Sequence, residues 1–226
     1  SRLLLNVLYA SPGVIFGERE VRLAIDACGL EQTLEDLEQQ PLVDWPRAAD
    51  ARLHLLEALC QEFSKGEHPQ RADFESFRAA AGEHLEHHCR FEVLQAEAVE
   101  NGLGADWRNW PEAWRDPYHR QVEAFAASYP ARIEFHAFCQ WLAERSLQRA
   151  QDAARGNGMS VGLIADLAVG ADGAGSQAWS RQDELLAELT VGAPPDILNR
   201  AGQDWGICGF SPEGLKRNGF RAFIEM

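Results

Sequence analysis

A change of residue pattern near residue 160 constrains the fold of this chain more than any other feature. Between residues 18 and 155, apolar side chains recur mostly at helical spacing, and a Gly-Asn-Gly turn at 156–158 ends that pattern. A short apolar run, Val161–Ala165, follows and stops at Asp166. A long helix, a Gly-rich turn and a buried strand of this length are typical of a βα unit with parallel strands.

Helix signals are strong along the first two thirds of the chain. Long helices are predicted over residues 45–64, 73–100 and 130–155. The helix at Trp45 has Pro46 in its first turn and Asp44 placed to cap it. Residues 3–9 predict a second short buried strand, whereas residues 101–118 predict an irregular connection with one short helix.

Residues 162–206 combine the predicted strand with turns rich in Gly, Pro, Asp and Trp. Loops at the carboxyl ends of parallel strands are where barrel enzymes build their sites. Carboxylates accept hydrogen bonds from hydroxyl groups, and indole faces cover the apolar side of a sugar ring. This region is therefore predicted to bind a neutral, polyhydroxylated ligand.

Four blocks in this region resemble the 4-α-glucanotransferases of the amylomaltase (disproportionating enzyme) type. The blocks are Asp166–Gly170, Gln177–Trp179, Gly192–Asp196 and Gly202–Gly206. The resemblance extends upstream through residues 135–141, 110–114, 45–49 and 1–9. Four ordered blocks at family-like spacing are a specific signal, although any one alone would be weak. After Gly206 the chain departs from the family pattern, because Ile207 stands where a Pro or Asn-Pro is usual.

The resemblance implies an α/β fold that is part of a (β/α)8 TIM barrel, with early strands and a large, mainly helical insertion. The implied domains are an early strand and loop at 1–16, the insertion at 17–129, and a barrel helix, strand and active-site loops at 130–226. The chain is similar to an internal segment of such an enzyme. The family's retaining double displacement uses a nucleophile and an acid/base that are expected beyond Met226, so the chain alone is expected to be inactive.

The resemblance also implies which side chains contact α-1,4-glucans or maltodextrins: Asp166, Trp179, Pro195, Asp196, Gln203 and Trp205. Each has a structural alternative. Asp166 could cap a turn at a strand end, and Pro195 with Asp196 could form only a stiff turn. Gln203 and Trp205 could be a buried indole with a neighbouring amide. For Trp179, core packing and a place in the cleft wall remain equally open.

Charge and composition exclude several classes of partner. The chain has 35 Asp and Glu against 21 Lys and Arg, a net charge of −14. This acidity argues against nucleic-acid and membrane partners, which need a basic surface. His84 and His88, one helical turn apart, are a weak metal candidate without a second ligand cluster, so neither a metal nor a cofactor is expected. Five widely spaced cysteines and no signal or membrane segment favour the cytoplasm.

Two functions of other classes stay open. The acidic helical region could be a non-enzymatic interaction module that binds a protein partner, or the chain could be a stand-alone glucan-binding module. The first leaves the four blocks unexplained, whereas the second requires affinity without the rest of the cleft. An isolated early part of a barrel would expose strand edges, so self-association of the chain is also expected.

Overall fold

The computed structural model describes residues 4–166 and 169–225, and most of these are helical. The helices are α1 (Gly13–Ala27), α2 (Glu31–Glu38), α3 (Trp45–Ser64), α4 (Arg71–Glu100), α5 (Glu112–Arg115), α6 (Arg120–Ser128), α7 (Pro130–Gly156), α8 (Ser176–Ser180), α9 (Pro212–Arg217) and α10 (Arg221–Ile224). The strands are β1 (Ala171–Asp172), β2 (Leu185–Ala193) and β3 (Gln203–Phe210). Within this described part, no helix has both the length and the apolar character that a membrane span requires.

The long helices predicted from the sequence are present, and the first turn of α3 shows why that helix starts where it does. α3 occupies the predicted range and has Pro46 in its first turn. The Asp44 carboxylate accepts a hydrogen bond from the Arg47 backbone N–H at 3.2 Å. The first N–H groups of a helix have no acceptor within the helix. Pro46 lacks such a group and Asp44 satisfies another, so both residues favour a helix start here.

Two glycines interrupt helices of the structure, and one of them, Gly82, lies inside a helix that the apolar pattern predicts as continuous. In α4, Gly82 has φ 62° and ψ −144°, and in α1, Gly17 has φ 78° and ψ 161°. Glycine adopts these left-handed conformations readily because it has no Cβ atom. The periodicity of apolar residues identifies the helical segments on either side of such a glycine but not the break itself.

The described residues do not form the two predicted barrel strands. Residues 161–166 have no regular secondary structure, Val7–Tyr9 form a 3-10 turn, and Leu3 lies outside the described residues. A strand in a parallel barrel needs hydrogen-bonded neighbours on both sides, and the described strands pair only antiparallel. The strand prediction at these positions is therefore wrong for this structure, which instead has helices and one small antiparallel sheet.

The chain packs into two compact units that do not follow the predicted domain boundaries. The first unit contains residues 5–81 and 135–164. The second contains Leu4, residues 82–134 and the described residues from 165 onward. Boundaries after residues 16 and 129 remain predictions about a complete barrel, because each unit of this structure combines segments from different predicted domains.

An aromatic cluster forms the core of the first unit. Phe63 of α3 is 1% exposed, and its ring centroid lies 5.3 Å from those of Phe138 and Trp141 on α7. Phe74 of α4 lies 5.6 Å from both Phe63 and Trp141. Centroid spacings of 4.5–7 Å are favourable for aromatic pairs. These rings therefore hold α3, the first part of α4 and α7 together.

A polar contact closes the edge of this aromatic cluster. The Asp73 carboxylate accepts hydrogen bonds from Trp141 Nε1 at 2.8 Å and from Arg145 Nε and Nη2 at 2.7 and 2.9 Å. The hydrogen bonds from Arg145, and then that from Trp141, lower the pKa of Asp73, although partial burial acts in the opposite direction. Asp73 therefore stabilises the fold in its ionised form.

The sheet of the second unit has the strand order β1-β3-β2, and all its pairs are antiparallel. Val191 pairs with Ile207, but the next residue of β2, Gly192, pairs with Asp204. β3 therefore carries two additional residues at this point, Trp205 and Gly206, which form a β-bulge. An apolar cluster is formed by one residue from each strand, Ala171, Leu185 and Phe210, together with Ala178 of α8.

Gly192 allows the two strands to approach closely beside the bulge. A Cβ atom built on Gly192 would lie 2.0 Å from the carbonyl oxygen of Gln203. Such a contact is far shorter than any allowed van der Waals distance, so a side chain at this position would force the strands apart. A Cβ atom built on Gly209 would lie 3.4 Å from Val191 Cγ2, which is an ordinary contact.

We expect Asp73→Ala to destabilise the first unit by about 1–3 kcal/mol, because the buried Trp141 N–H and the Arg145 guanidinium lose their acceptor. The folded-state pKa of Asp73 is lowered, so its contribution is present above the unfolded-state pKa of about 3.9 and is lost as the pH falls through the folded-state pKa. Thermal unfolding between pH 7 and pH 3 measures this difference. Glu75→Ala, at an exposed neighbouring carboxylate, is the control, and an equal effect of both variants would contradict the prediction.

We expect Gly192→Ala to open the hairpin of β2 and β3, whereas Gly209→Ala leaves it intact. The reason is the 2.0 Å approach of a Gly192 Cβ to the Gln203 carbonyl oxygen, which has no counterpart at Gly209. Hydrogen–deuterium exchange of peptides covering residues 185–210 is the measurement. Faster exchange in Gly192→Ala alone is expected, and unchanged exchange in both variants would refute the close approach.

Candidate functional site

The loop between β2 and β3 contains two of the predicted glucan contacts, Pro195 and Asp196. The Asp196 carboxylate accepts hydrogen bonds from the backbone N–H groups of Leu198 (2.8 Å) and Asn199 (2.6 Å). Asp196 therefore stabilises the turn, which is the structural alternative that its sequence context left open. Pro195 is exposed, and the tip of the loop carries Ile197 at 94% exposure.

Gln203 and Trp205 lie on β3 and contact one another. The indole Nε1 of Trp205 donates a hydrogen bond to Gln203 Oε1 at 2.9 Å. Trp205 is 47% exposed, so it is not the buried indole that the structural alternative predicted. The β-bulge displaces Trp205 from the regular pairing of β3, and the Gln203 amide restrains the edge of its ring. The result is an accessible aromatic surface with a restrained orientation.

Asp204, which the sequence analysis did not select, stabilises the bulge. Its carboxylate accepts a hydrogen bond from the Gly206 N–H at 2.8 Å. This bond, followed by one with the Thr190 side chain, lowers the pKa of Asp204. Gly206 has φ 65°, a conformation that glycine adopts more readily than other residues. An Asp two residues before a Gly is typical of such turns, and this signal could have identified the residue.

Trp179 belongs to the core of the second unit. It is fully buried, and its Nε1 donates a hydrogen bond to the Trp114 carbonyl oxygen at 2.7 Å. Its ring centroid lies 5.7 Å from that of Phe91. The buried cluster around it includes Leu94, Ala98, Trp107, Trp110 and Val122. Of the two alternatives for Trp179, core packing agrees with this burial, because a ring without accessible surface has no face for a ligand.

Asp166 is exposed and lies in irregular structure before β1. The next two residues of its sequence block, Leu167 and Ala168, lie outside the described residues. The structure thus places the predicted contacts in three settings. Pro195, Asp196, Gln203 and Trp205 share one hairpin, Trp179 is in the core of the second unit, and Asp166 belongs to a separate segment.

Two histidines of α4, His87 and His88, make contacts with other side chains of the chain. His88 Nδ1 lies 2.9 Å from Ser176 Oγ and 3.6 Å from the Glu92 carboxylate. Burial lowers the pKa of His84, and His87 is 5% exposed. Among the described residues, no group of three or more His, Cys, Asp or Glu side chains is arranged to hold a metal ion.

Comparison with known sequences identifies one family along the whole chain. A family model described as 4-alpha-glucanotransferase matches residues 1–226. The 4-alpha-glucanotransferase of Mycobacterium tuberculosis (strain ATCC 25618 / H37Rv) is 39% identical over 126 residues, which cover 56% of this chain and 17% of that protein. The 4-alpha-glucanotransferase of Haemophilus influenzae is 29% identical over 207 residues, which cover 87% of this chain and 29% of that protein.

Comparison with solved structures finds amylomaltases. The amylomaltase from Corynebacterium glutamicum matches 97% of this chain with a TM-score of 0.68 at 25% sequence identity. An amylomaltase from Streptococcus agalactiae in complex with acarbose matches 88% with a TM-score of 0.66, and at 17% identity this supports the fold alone. The chain spans 29% and 42% of these two proteins, respectively. Because the family model matches every residue from 1 to 226, this chain belongs to the 4-alpha-glucanotransferase family.

Proposed function

We propose that the protein to which this chain belongs is a 4-α-glucanotransferase, which moves α-1,4-glucan segments between maltodextrins by a retaining double displacement. The match of the family model over all 226 residues carries this proposal. A retaining mechanism uses two carboxyl groups about 5–5.5 Å apart, one as nucleophile and one as acid/base. By family resemblance both lie outside this chain, whose residues contribute substrate contacts instead.

The hairpin of β2 and β3 is the proposed glucan-contacting element of this chain. Trp205 offers an exposed ring face, and Gln203 both orients that ring and retains amide atoms for hydroxyl groups. A sugar ring has an apolar face that packs against an aromatic ring. Pro195 and Asp196 stiffen the adjoining loop, which we propose covers the bound glucan with its exposed apolar tip.

Two further residues act in different ways in this proposal. Asp166 contributes an exposed carboxylate that accepts hydrogen bonds from glucan hydroxyl groups. Trp179 acts as a positioning residue, because its buried ring and its bond to the Trp114 carbonyl fix the segment that precedes β2. In the complete protein we propose that these residues belong to a (β/α)8 barrel with a helical insertion.

The proposed compartment is the cytoplasm. All five cysteines of the chain are thiols in the structure, as is usual in a reducing compartment. The proposed partners are α-1,4-glucans, which are uncharged. The net charge of −14 therefore acts on solubility rather than on substrate capture.

In the complete protein, Trp205→Ala should weaken maltodextrin binding by about 2- to 13-fold, because an aromatic contact contributes roughly 0.5–1.5 kcal/mol beyond area burial. Asp166→Asn should lower turnover at nearly unchanged thermal stability. The measurement is disproportionation of maltotriose to glucose and longer maltodextrins. The matched controls are Trp45→Ala, at a tryptophan of similar exposure, and Asp50→Asn, at an exposed carboxylate of α3. Wild-type kinetics in both site variants would reject the proposed contacts.

The 226-residue chain alone should not transfer or hydrolyse glucan. A glycosyl-enzyme intermediate requires a nucleophile with a matched acid/base, and positioning of substrate does not replace them. Incubation of the purified chain with maltotriose, followed by chromatography of the products, tests this expectation. Turnover near that of a complete enzyme would mean that the catalytic carboxylates are within this chain. Binding without turnover would agree with the proposal and would retain the glucan-binding alternative for the isolated chain.

A further inference from the structure

Three Asn-Gly pairs follow the last residues of helices in this chain. They are Asn101-Gly102 after α4, Asn157-Gly158 after α7 and Asn218-Gly219 after α9. Asparagine followed by glycine is prone to spontaneous deamidation, because a glycine without a side chain lets its backbone nitrogen reach the amide carbon of the preceding residue. All three pairs can undergo this reaction, and the local structure determines which one reacts first.

The reaction requires the turn around the pair to open. In each pair the glycine N–H donates a hydrogen bond to the carbonyl oxygen three residues earlier, which keeps the nitrogen away from the amide carbon. The donor–acceptor distance is 3.0 Å at Gly102 and at Gly158, but 3.3 Å at Gly219. Because a longer hydrogen bond is a weaker one, the Gly219 nitrogen is held least firmly.

The backbone directly after Gly219 is strained. Phe220 has φ 59°, and it is the one non-glycine residue with positive φ in the described ranges 4–166 and 169–225. A Cβ atom is crowded in this left-handed conformation, so the surrounding structure must impose it. Opening of the turn releases this strain. Leu103 and Met159, which follow the other two pairs, do not have positive φ.

The helices on either side of Asn218 are short. α9 has six residues and α10 has four, whereas α4 has 30 and α7 has 27. A short helix forms few hydrogen bonds to offset the cost of its nucleation. The turn between α9 and α10 therefore opens together with its helices more readily than the ends of the two long helices do.

We propose that Asn218 is a site of spontaneous deamidation in the folded protein and reacts before Asn101 and Asn157. The Gly219 nitrogen attacks Asn218 Cγ and loses its proton, and the bond from Cγ to the amide nitrogen breaks with release of ammonia. Water then opens the resulting five-membered succinimide, which yields aspartate or isoaspartate. No oxidant or reductant takes part, and the modification does not depend on the proposed function.

Deamidation of Asn218 removes a contact that attaches α9 to the turn before β2. The Asn218 side-chain amide donates a hydrogen bond to the Asp183 carboxylate at 3.0 Å. An ionised carboxylate has no donor to replace this bond and places a second negative charge beside Asp183. Arg217 lies 3.9 Å from the same Asp183 oxygen, but both side chains are mostly exposed, so this pair compensates only weakly. α9 therefore separates from the turn more readily after the reaction.

Mass-spectrometric peptide mapping of the complete protein during incubation in mildly alkaline buffer tests the site. The peptide with Asn218 should convert from amide to acid about fivefold faster than those with Asn101 and Asn157, which corresponds to release of about 1 kcal/mol of strain on opening. In urea, where the fold is lost, the three peptides should react at similar rates. Equal rates in the folded protein, or earlier conversion of Asn101 or Asn157, would overturn the proposal.

Two variants separate the new charge from the loss of the amide. Hydrogen–deuterium exchange of the peptide covering residues 211–225 should be about twofold faster in Asn218→Asp than in Asn218→Ala, and added salt should reduce this difference because it screens charge repulsion. The matched control is Asn157→Asp, which also adds a carboxylate at a helix end. The Asn157 amide is bonded to the Ala153 carbonyl oxygen rather than to a carboxylate, so this variant should leave the 211–225 peptide unchanged. Equal exchange in the two Asn218 variants would contradict the loosening of α9.

Discussion

The hydrogen bond from the Trp179 indole to the Trp114 carbonyl oxygen is the interaction on which the second unit depends. It joins α8, between β1 and β2, to α5, which lies more than sixty residues earlier in the chain, with a donor–acceptor distance of 2.7 Å. A second indole, that of Trp107, makes an analogous bond to the Gly173 carbonyl oxygen at 3.0 Å. Both bonds satisfy backbone acceptors outside the sheet, one in the short helix α5 and one in the turn after β1, and a buried acceptor without a partner is costly. Tryptophan suits this role because it combines a large apolar ring with one directed donor.

The core around Trp179 brings together sequence blocks that lie far apart in the chain. The Trp110–Trp114 block and the Gln177–Trp179 block resemble the family separately, but in the structure they pack in the same core. Family resemblance in these blocks therefore reflects packing as much as substrate contact. The hairpin differs, because its glycines serve backbone geometry and its exposed Trp205 has no evident role in packing. A residue of the family pattern is thus better interpreted after its burial is known.

The sequence predicted helices well and strands poorly, for physical reasons. A helix closes its own hydrogen bonds, so α3 and its Asp44 cap could be located from local residues alone. A strand depends on a partner that local sequence does not name. The run Val161–Ala165 looked like a strand by composition but has none here, whereas β2 and β3 were interpreted as loops because Gly and Pro are frequent near their ends. Gln203 and Trp205 were selected from resemblance, while Asp204 was missed because its role depends on one short turn.

The bulge in β3 contains two additional residues. Because this number is even, it affects which changes in length the hairpin tolerates. Side chains along a strand alternate between the two faces with a period of two. Insertion of Trp205 and Gly206 therefore leaves Cys208 and its neighbours on the faces they would occupy without the bulge. An odd insertion that kept extended backbone geometry would reverse the faces beyond it and turn the buried Cys208 side chain outward. Insertion or deletion of Trp205 and Gly206 as a pair would therefore add or remove the exposed aromatic ring and leave the buried side chains of β3 on the same face.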